Sequence, residues 1–230
     1  MSFNSTIPVV TFDGLSGSGK GTISLLVANK LGWNVLDSGA IYRTLVHFAK
    51  ELGIDVQDEV MLRILAILLP IEFRSEGTQE GLLQVLLNKE DITITIRSES
   101  YGKEASKIAT LPSVREALLY RQRAFLIAPG LVADGRDMGT EVFPNAVIKF
   151  FLEASVEERA QRRFLQLKKM GLDGNLQCLI GEIAERDKRD KERVVAPLRP
   201  ADDAIVIDTN YDSINVVFQR IFGIIEETLC

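Results

Sequence analysis

The sequence predicts an α/β fold in which a central parallel sheet is flanked by helices, and three observations support this prediction. Short apolar runs rich in branched residues alternate with helical segments along the chain. A glycine-rich stretch, "DGLSGSGKGT", joins the first apolar run to the first helical segment. Three further apolar runs in the second half have the pattern of buried central strands.

The first half of the chain is predicted to contain two strand–helix units. In the first unit, the strand pattern "TIPVVTFDG" precedes the helical "GTISLLVANKLG", which Gly32 closes. In the second unit, "WNVLDSG" precedes "AIYRTLVHFAKELG", which ends at Gly53. The further strands of the sheet are "GLVADGRD", "AVIKFFLEAS" and "DAIVIDT", each followed by helical sequence.

Residues 71–98 interrupt this alternation. The runs "IEFRS", "LLQVLLN" and "DITITIRS" are strand-like, and turn residues rather than helical segments separate them. Strands that follow one another without a helix between them pair antiparallel. The sequence therefore predicts a small antiparallel insertion at the side of the main sheet.

The composition is that of a folded globular protein. Hydrophobic residues make up 46% and charged residues 26% of the 230 residues. A formal net charge of −5 argues against a general nucleic-acid or anionic-membrane binder. Cys178 and Cys230 have no CxxC spacing, so neither a disulfide nor a metal site is expected. The N-terminus has no signal-peptide pattern, and the cytoplasm is the expected location.

The glycine-rich stretch has the residues of a phosphate-binding loop. Gly14, Gly19 and Lys20 form a G-x-x-x-x-G-K motif after a predicted strand and before a predicted helix. Glycine lets the backbone approach a ligand closely, the helix N-terminus presents unpaired N–H groups, and lysine adds a positive charge. The motif predicts a nucleoside triphosphate site. Because Gly21 stands where the strict motif has Ser or Thr, phosphate binding and magnesium coordination remain alternatives for Thr22.

A triphosphate site alone does not separate a phosphoryl-transfer enzyme from a GTPase-like switch. The tetrapeptide "NKED" at 88–91 matches the N-K-x-D pattern with which many GTPases read guanine. However, the sequence contains no D-x-x-G, and "NKED" lies between two strand-like runs of the insertion. These residue types are common in hairpin turns, so the hairpin interpretation is preferred.

Charged residues follow two of the predicted strands, at the edge where open α/β sheets bind their ligands. In "LDSGAIYR", Asp37 or Ser38 caps a helix and Arg43 lies about one turn inside it. In "VADGRDMGT", Arg136 and Asp137 come directly after a buried strand. The alternatives are a second anion site or an ordinary capped helix with surface arginines.

Two helical segments carry further basic residues. One face of the helical segment "GEIAERDKRDKERVVAPLRP" carries Arg186, Asp190 and Arg193. These residues either bind a phosphate and a base edge together or form a solvated charged face. The arginines on "VEERAQRRFLQLKKMG" either stabilise charge during phosphoryl transfer or lie on a surface helix without a catalytic role. These are Arg159, Arg162 and Arg163. His47 lies inside a helical segment and is interpreted as structural.

Four motifs together resemble those of the bacterial-type cytidylate kinases, a branch of the P-loop nucleoside monophosphate kinases. They are "GLSGSGKGT", "LDSGAIYR", "ADGRDMGT" and "ERDKRD" followed by an arginine and "APL", in the family's order over almost the whole chain. The resemblance implies a three-layer P-loop sandwich: a single kinase domain over 1–230, with a nucleoside-monophosphate-binding insertion at about 38–110 and a helical lid at about 157–185. It also implies phosphoryl transfer from ATP to CMP or dCMP with Mg²⁺, by a monomer that binds neither nucleic acid nor membrane.

The resemblance also implies roles for individual residues. The expected ATP-binding residues are Gly14, Leu15, Ser16, Gly17, Ser18, Gly19, Lys20, Gly21 and Thr22. The expected CMP-binding residues are Ser38, Arg43, Ser106, Arg115, Arg136, Asp137, Arg186, Asp190 and Arg193. The expected catalytic residues are Lys20, Arg136, Arg162 and Arg186. Magnesium is expected to be held mainly by phosphates and water, with Thr22 and Asp134 as candidate contacts.

Three questions stay open at this point. A related kinase that acts on another nucleotide, or a P-loop switch protein, would share the phosphate loop. The insertion either clamps CMP or braces the acceptor side. The preference for CMP over dCMP and the tolerance of UMP are not encoded in any motif described above.

Overall fold

A parallel five-stranded sheet forms the centre of the molecule, with the strand order β2-β6-β1-β7-β8. The computed structural model describes residues 7–75, 83–169 and 175–229. The strands of this sheet are β1 (Val9–Gly14), β2 (Asn34–Asp37), β6 (Leu131–Asp134), β7 (Ile148–Glu153) and β8 (Ile205–Asp208). All four pairings between them are parallel, as the alternation of strands and helices predicts.

Eight α-helices accompany the strands in the described part of the chain. They are α1 (Lys20–Leu31), α2 (Ser38–Glu51), α3 (Glu59–Leu68), α4 (Glu99–Ile108), α5 (Pro112–Arg123), α6 (Val156–Lys169), α7 (Leu176–Glu192) and α8 (Ile214–Leu229). Side chains of β1 show how the helices form two outer layers. Val9 joins the apolar cluster that contains α2, α3 and α5, whereas Val10 and Phe12 join the cluster of α1 and α8. This alternation confirms the predicted three-layer sandwich.

The predicted antiparallel insertion is confirmed as a three-stranded sheet of β3 (Ile71–Arg74), β4 (Gln84–Leu87) and β5 (Glu90–Asp91). The first two residues of the "NKED" segment, Asn88 and Lys89, form the β4–β5 turn with positive φ angles of 50° and 71°, and the last two form β5. Two consecutive residues with positive φ are typical of tight hairpin turns. The hairpin interpretation of this tetrapeptide is therefore confirmed.

The prediction of a full strand for "DITITIRS" is wrong. Only Asp91 of this run lies in β5, and Thr95–Arg97 form a short 3₁₀ turn. In a strand, Ile92, Ile94 and Ile96 would share one face. Instead, Ile92 and Ile96 are buried while Ile94 is 70% exposed, because the backbone turns helically after Thr93.

A second correction concerns the helix predicted over "GEIAERDKRDKERVVAPLRP". The helix α7 ends at Glu192, and Arg193 has an extended backbone with φ −61° and ψ 139°. Pro197 disfavours the helical conformation of the residue before it, and Ala196 has a positive φ of 50°.

Within the described residues, no helix combines the length and apolar character that crossing a membrane requires.

The topology brings the carboxyl ends of three strands together at one edge of the sheet. The strand β6 lies between β2 and β1, and Asp134 is in register with both Asp37 and Phe12. The strand β1 continues directly into the glycine-rich loop at Gly14. This edge therefore gathers the phosphate loop, the start of α2 and the segment that follows β6.

Candidate active site

The glycine-rich loop folds tightly because its backbone adopts conformations that glycine favours. Gly14, Gly17 and Gly19 all have positive φ angles. A Cβ on Gly14 would lie only 2.2 Å from the carbonyl oxygen of Leu152 in β7. The loop ends where α1 begins at Lys20, so the free N–H groups of the helix start and the loop backbone face the same cleft.

Lys20 is buried at the start of α1, and its Nζ donates a hydrogen bond to the carbonyl oxygen of Leu15, 3.0 Å away. Burial, reinforced by the nearby charge of Arg136, lowers the pKa of Lys20 to about 7. The hydrogen bond to Leu15 holds the lysine against the loop. Among the described residues, no carboxylate forms an ion pair with Lys20. A bound polyphosphate would supply the negative charge that this ammonium group lacks.

The position of Arg159 corrects the hypothesis that all three arginines of α6 face the substrates. Its side chain is 1% exposed and forms a bidentate ion pair with Asp187 of α7. It also donates hydrogen bonds to the carbonyl oxygens of Ser16 and Ala154. Arg159 thus supports the phosphate loop through the carbonyl group of Ser16 and lines none of the clefts around the loop.

Arginines converge on a second cleft of ≈ 240 Å³ that adjoins the loop. Asp37 caps α2 by accepting a hydrogen bond from the N–H of Ala40, and Arg43 lies about one turn inside this helix. The cleft is lined by Lys20, Arg43, Arg97, Asp134, Arg136, Arg163 and Arg186, among others. Such an excess of cations over carboxylates suits a phosphate group.

Beside the arginine cleft, a smaller pocket combines apolar walls with polar groups. The Ser106 hydroxyl is buried and has no hydrogen-bond partner among the described residues. Asp137 is held between Arg115, which donates a hydrogen bond to it, and Arg193, whose Nη2 lies 3.5 Å away. The lining also includes Ser38, Gly39, Tyr42, Ala105, Arg136, Arg186 and Asp190. A hydroxyl and a carboxylate fixed in a partly apolar pocket can read the edge of a flat polar ring.

Asp190 and Arg136 connect α7 to the segment after β6. The Nε of Arg136 donates a hydrogen bond to Asp190 Oδ2 across 2.9 Å. Burial opposes ionisation of Asp190, but the charges of Arg136 and Arg186 outweigh it and hold the pKa of this carboxyl below its ordinary value. An ionised Asp190 therefore orients Arg136 at the boundary between the two pockets.

The sequence matches known proteins over nearly its full length. Residues 10–227 match the family model described as cytidylate kinase. The chain belongs to the cytidylate kinase family. It is 56% identical over 222 residues to a cytidylate kinase of Photobacterium profundum, with 96% of each chain covered. It is 55% identical over 217 residues to a cytidylate kinase of Stutzerimonas stutzeri, with 94% of each chain covered.

The kinase brings most of its predicted site residues to the phosphate-loop cleft, the arginine cleft or the small pocket. Five of the nine loop residues line the phosphate-loop cleft: Gly17, Gly19, Lys20, Gly21 and Thr22. Ser16 lines the arginine cleft, whereas Gly14, Leu15 and Ser18 line neither cleft. Every residue predicted to bind CMP, except Arg115, lines the second cleft or the small pocket. Arg115 lies behind that pocket, where its hydrogen bond fixes Asp137.

Arg162 is the predicted catalytic residue whose guanidinium is most occupied by the protein itself. It donates hydrogen bonds to the backbone oxygen and the hydroxyl of Thr209, and it pairs with Glu158 at 3.1 Å. Its Nη1 would nevertheless lie only 4.0 Å from a Cβ on Gly19. Arg162 thus lies beside the phosphate loop. Residues 170–174 of the predicted lid lie outside the described part of the chain.

Two site features were not predicted from the sequence. Gly102 lies in α4, where an added Cβ would be 3.1 Å from Nη2 of Arg43 and 3.6 Å from Nη1 of Arg186. Asp13 accepts hydrogen bonds from the N–H groups of Met138 and Gly139, both at 2.8 Å. A glycine inside a helix is a signal of close approach that could have identified Gly102. Asp13 directly precedes the loop, but its partners lie more than 120 residues away.

Magnesium chemistry has two candidate residues in this site. Asp134 is buried, its Oδ1 has no hydrogen-bond partner among the described residues, and its Oδ2 would be 3.1 Å from a Cβ on Gly21. Thr22 is exposed at the rim of the same cleft. Among the residues that the structure describes, no group of three His, Cys, Asp or Glu side chains forms a metal cage. The residues present therefore fit an ion held chiefly by phosphates and water.

The buried carboxyl of Asp134 makes a pH-dependent contribution to stability. Burial raises its pKa from 3.8 to about 7, although Lys20 acts in the opposite direction. Between these two values the folded state binds more protons than the unfolded state, so this contribution falls as the pH rises from about 4 to about 7. We expect Asp134→Asn to remove this dependence, and the variant should exceed wild type in unfolding free energy at pH 8 by at least about 1 kcal/mol.

Urea unfolding of wild type and Asp134→Asn at pH 5 and pH 8 measures this difference. Asp203→Asn is the matched control, because that carboxyl is exposed and its Lys149 hydrogen bond keeps its pKa low. An advantage of Asp134→Asn that is no larger at pH 8 than at pH 5 would contradict the expected titration.

Proposed function

We propose that this chain transfers the γ-phosphoryl group of ATP to CMP or dCMP, giving ADP and CDP or dCDP. The observation that carries the proposal is the adjacency of the two clefts. Lys20 lines both the phosphate-loop cleft and the arginine cleft. Triphosphate at the loop and monophosphate among the arginines would place their phosphates side by side, as in-line transfer requires.

The acceptor's base is proposed to occupy the small pocket. The unpartnered hydroxyl of Ser106 and the fixed carboxylate of Asp137 would bond the polar edge of cytosine, and their place in this pocket supports the proposal. The guanidinium groups of Arg43 and Arg186 both lie beside Gly102, and we propose that they bind the CMP phosphate. Asp190 would lie beside the sugar, where it also orients Arg136.

The reaction needs no strong general base, because the phosphate of CMP is already an anionic nucleophile at neutral pH. The single histidine agrees with this mechanism. His47 Nδ1 lies 3.0 Å from the Tyr101 hydroxyl, and its Nε2 lies 3.1 Å from Glu51. Catalysis then rests on positioning and on charge stabilisation by Lys20 and the cleft arginines.

Magnesium, when bound with ATP, neutralises phosphate charge and orients the γ-phosphoryl group. Asp134 would hold a water of the ion, and Thr22 would contact the phosphates at the cleft rim. We further propose that the protein acts as a monomer on small molecules in the cytoplasm. The net charge of −5 and the construction of both clefts from one chain support this proposal.

A panel of acceptors tests the proposed function. Purified protein is mixed with ATP, Mg²⁺ and each nucleoside monophosphate in turn, and ADP formation is measured. We expect strong signals with CMP and dCMP, a weak signal with UMP and none with AMP or GMP. A different preferred acceptor would overturn the assignment of Ser106, Arg115 and Asp137. Triphosphate hydrolysis that does not depend on any acceptor would favour a switch protein.

A further inference from the structure

The 3₁₀ turn at Thr95–Arg97 belongs to the insertion but packs against α2, where the arginine cleft begins. Nη1 of Arg43 donates hydrogen bonds to the carbonyl oxygens of Ile96 at 3.0 Å and Ser98 at 3.4 Å. These two oxygens fix the direction of the Arg43 guanidinium. The insertion therefore takes part in building the arginine cleft.

Arg97 lies between these two carbonyl groups in sequence, and its own side chain reaches toward the phosphate loop. It lines the loop cleft together with Gly17, Gly19 and Lys20, and it also lines the arginine cleft. Among the described residues that line both clefts, Lys20 and Arg97 are the cations. Arg97 is thus placed where the two substrates would meet.

The hydrogen bonding of Arg97 leaves most of its guanidinium unused. Nη2 donates to the carbonyl oxygen of Leu83 at 3.3 Å, while Nε is inaccessible to solvent and has no partner among the described residues. No carboxylate of the described chain forms an ion pair with this arginine. A largely unpaired guanidinium in a cationic cleft is unfavourable until an anion occupies it.

We propose that Arg97 is a further catalytic residue, which the insertion supplies to contact the phosphoryl group during its transfer between the two nucleotides. This inference rests on the proposed function and assigns a role to the insertion. The insertion both orients Arg43 through its backbone and delivers a charge to the junction of the two clefts.

The test compares Arg97→Met with Arg74→Met. Arg74 is the matched control because it lies in the same insertion, is exposed and pairs with Glu72 at 3.4 Å. We expect Arg97→Met to lower kcat about 100-fold, with the dissociation constant of CMP changed less than about threefold, because the contact forms at the transferring group. Arg74→Met should retain wild-type kcat.

Binding of a pentaphosphate that joins the 5′ positions of adenosine and cytidine provides a readout independent of turnover. Its phosphates would span the junction, so Arg97→Met should weaken its binding about 30-fold, while Arg97→Lys recovers part of the affinity. Wild-type kcat and wild-type probe affinity in Arg97→Met would overturn the proposal. So would a loss of activity in Arg97→Met that merely follows a fall in melting temperature and leaves the probe affinity of the folded Arg97→Met protein at the wild-type value.

The two proposals fail in different ways. If the wild-type protein forms no ADP with any acceptor, the proposed function fails. Affinity for the pentaphosphate probe would still show whether Arg97 contacts a polyphosphate. If wild type is active with CMP but Arg97→Met equals it, only the role of Arg97 is overturned.

Discussion

Lys20→Ala is expected to lower kcat by about 100-fold to 1,000-fold, because it removes a charge that would follow the phosphoryl group between the substrates. Lys20 is the residue of the glycine-rich loop that lines both clefts with a positive charge. Steady-state rates of CDP formation at saturating ATP and CMP measure the effect. The loss should appear in kcat more than in KM for CMP, since CMP would be bound by arginines.

Lys30→Ala is the matched control for this variant. Lys30 lies in the last turn of the same helix, α1, and its Nζ is exposed near the Phe222 ring, 6.0 Å from the ring centre. This control should retain wild-type turnover. Folding is not expected to suffer in Lys20→Ala, because burial lowers the pKa of Lys20 and its charge is disfavoured in the empty site. Normal turnover by Lys20→Ala would show that the triphosphate is placed incorrectly.

The phosphate loop could be predicted from the sequence because its structure depends on local backbone chemistry. Gly14, Gly17 and Gly19 adopt positive φ angles that other residues rarely take, and Lys20 starts the helix that follows. The position of Asp134 beside this loop follows from a topological rule, since parallel strands carry ligands at their carboxyl ends. Spacing and residue type were sufficient for both features.

Other features depend on neighbours that are distant in sequence. Arg159 and Arg162 lie three residues apart in the same basic helix, yet only Arg159 is completely buried, because Asp187 of α7 lies opposite it. Ile94 and Ile96 have the same residue type, but the turn that follows Thr93 exposes one and buries the other. Nothing within the local sequence distinguishes the members of either pair. Tertiary packing decides between them.

The position of Arg97 was unpredictable for a related reason. As part of an expected strand, its side chain had no defined direction relative to the phosphate loop. The 3₁₀ turn places Ile96 in the core and its neighbour Arg97 beside the cleft. A local error in secondary structure therefore concealed a candidate functional residue.

Arg186→Ala is expected to lower kcat/KM for CMP about 100-fold without reducing the free energy of unfolding. Arg186 lines both the arginine cleft and the base pocket, and its buried Nε has no hydrogen-bond partner among the described residues. Burial and the charge of Arg136 lower the pKa of Arg186 to about 10. At neutral pH, the folded protein therefore holds this charge less favourably than the unfolded chain does.

Two measurements together test this expectation. Initial rates over a range of CMP concentrations give kcat/KM, and urea unfolding at pH 7 gives the free energy of unfolding. Lys188→Ala is the control, because Lys188 is exposed on the same helix and lines neither the arginine cleft nor the small pocket. An unchanged kcat/KM together with reduced stability would mean that Arg186 supports the helix packing. The expected opposite result would mean that the empty site stores unfavourable charge, which the phosphate of the acceptor neutralises on binding.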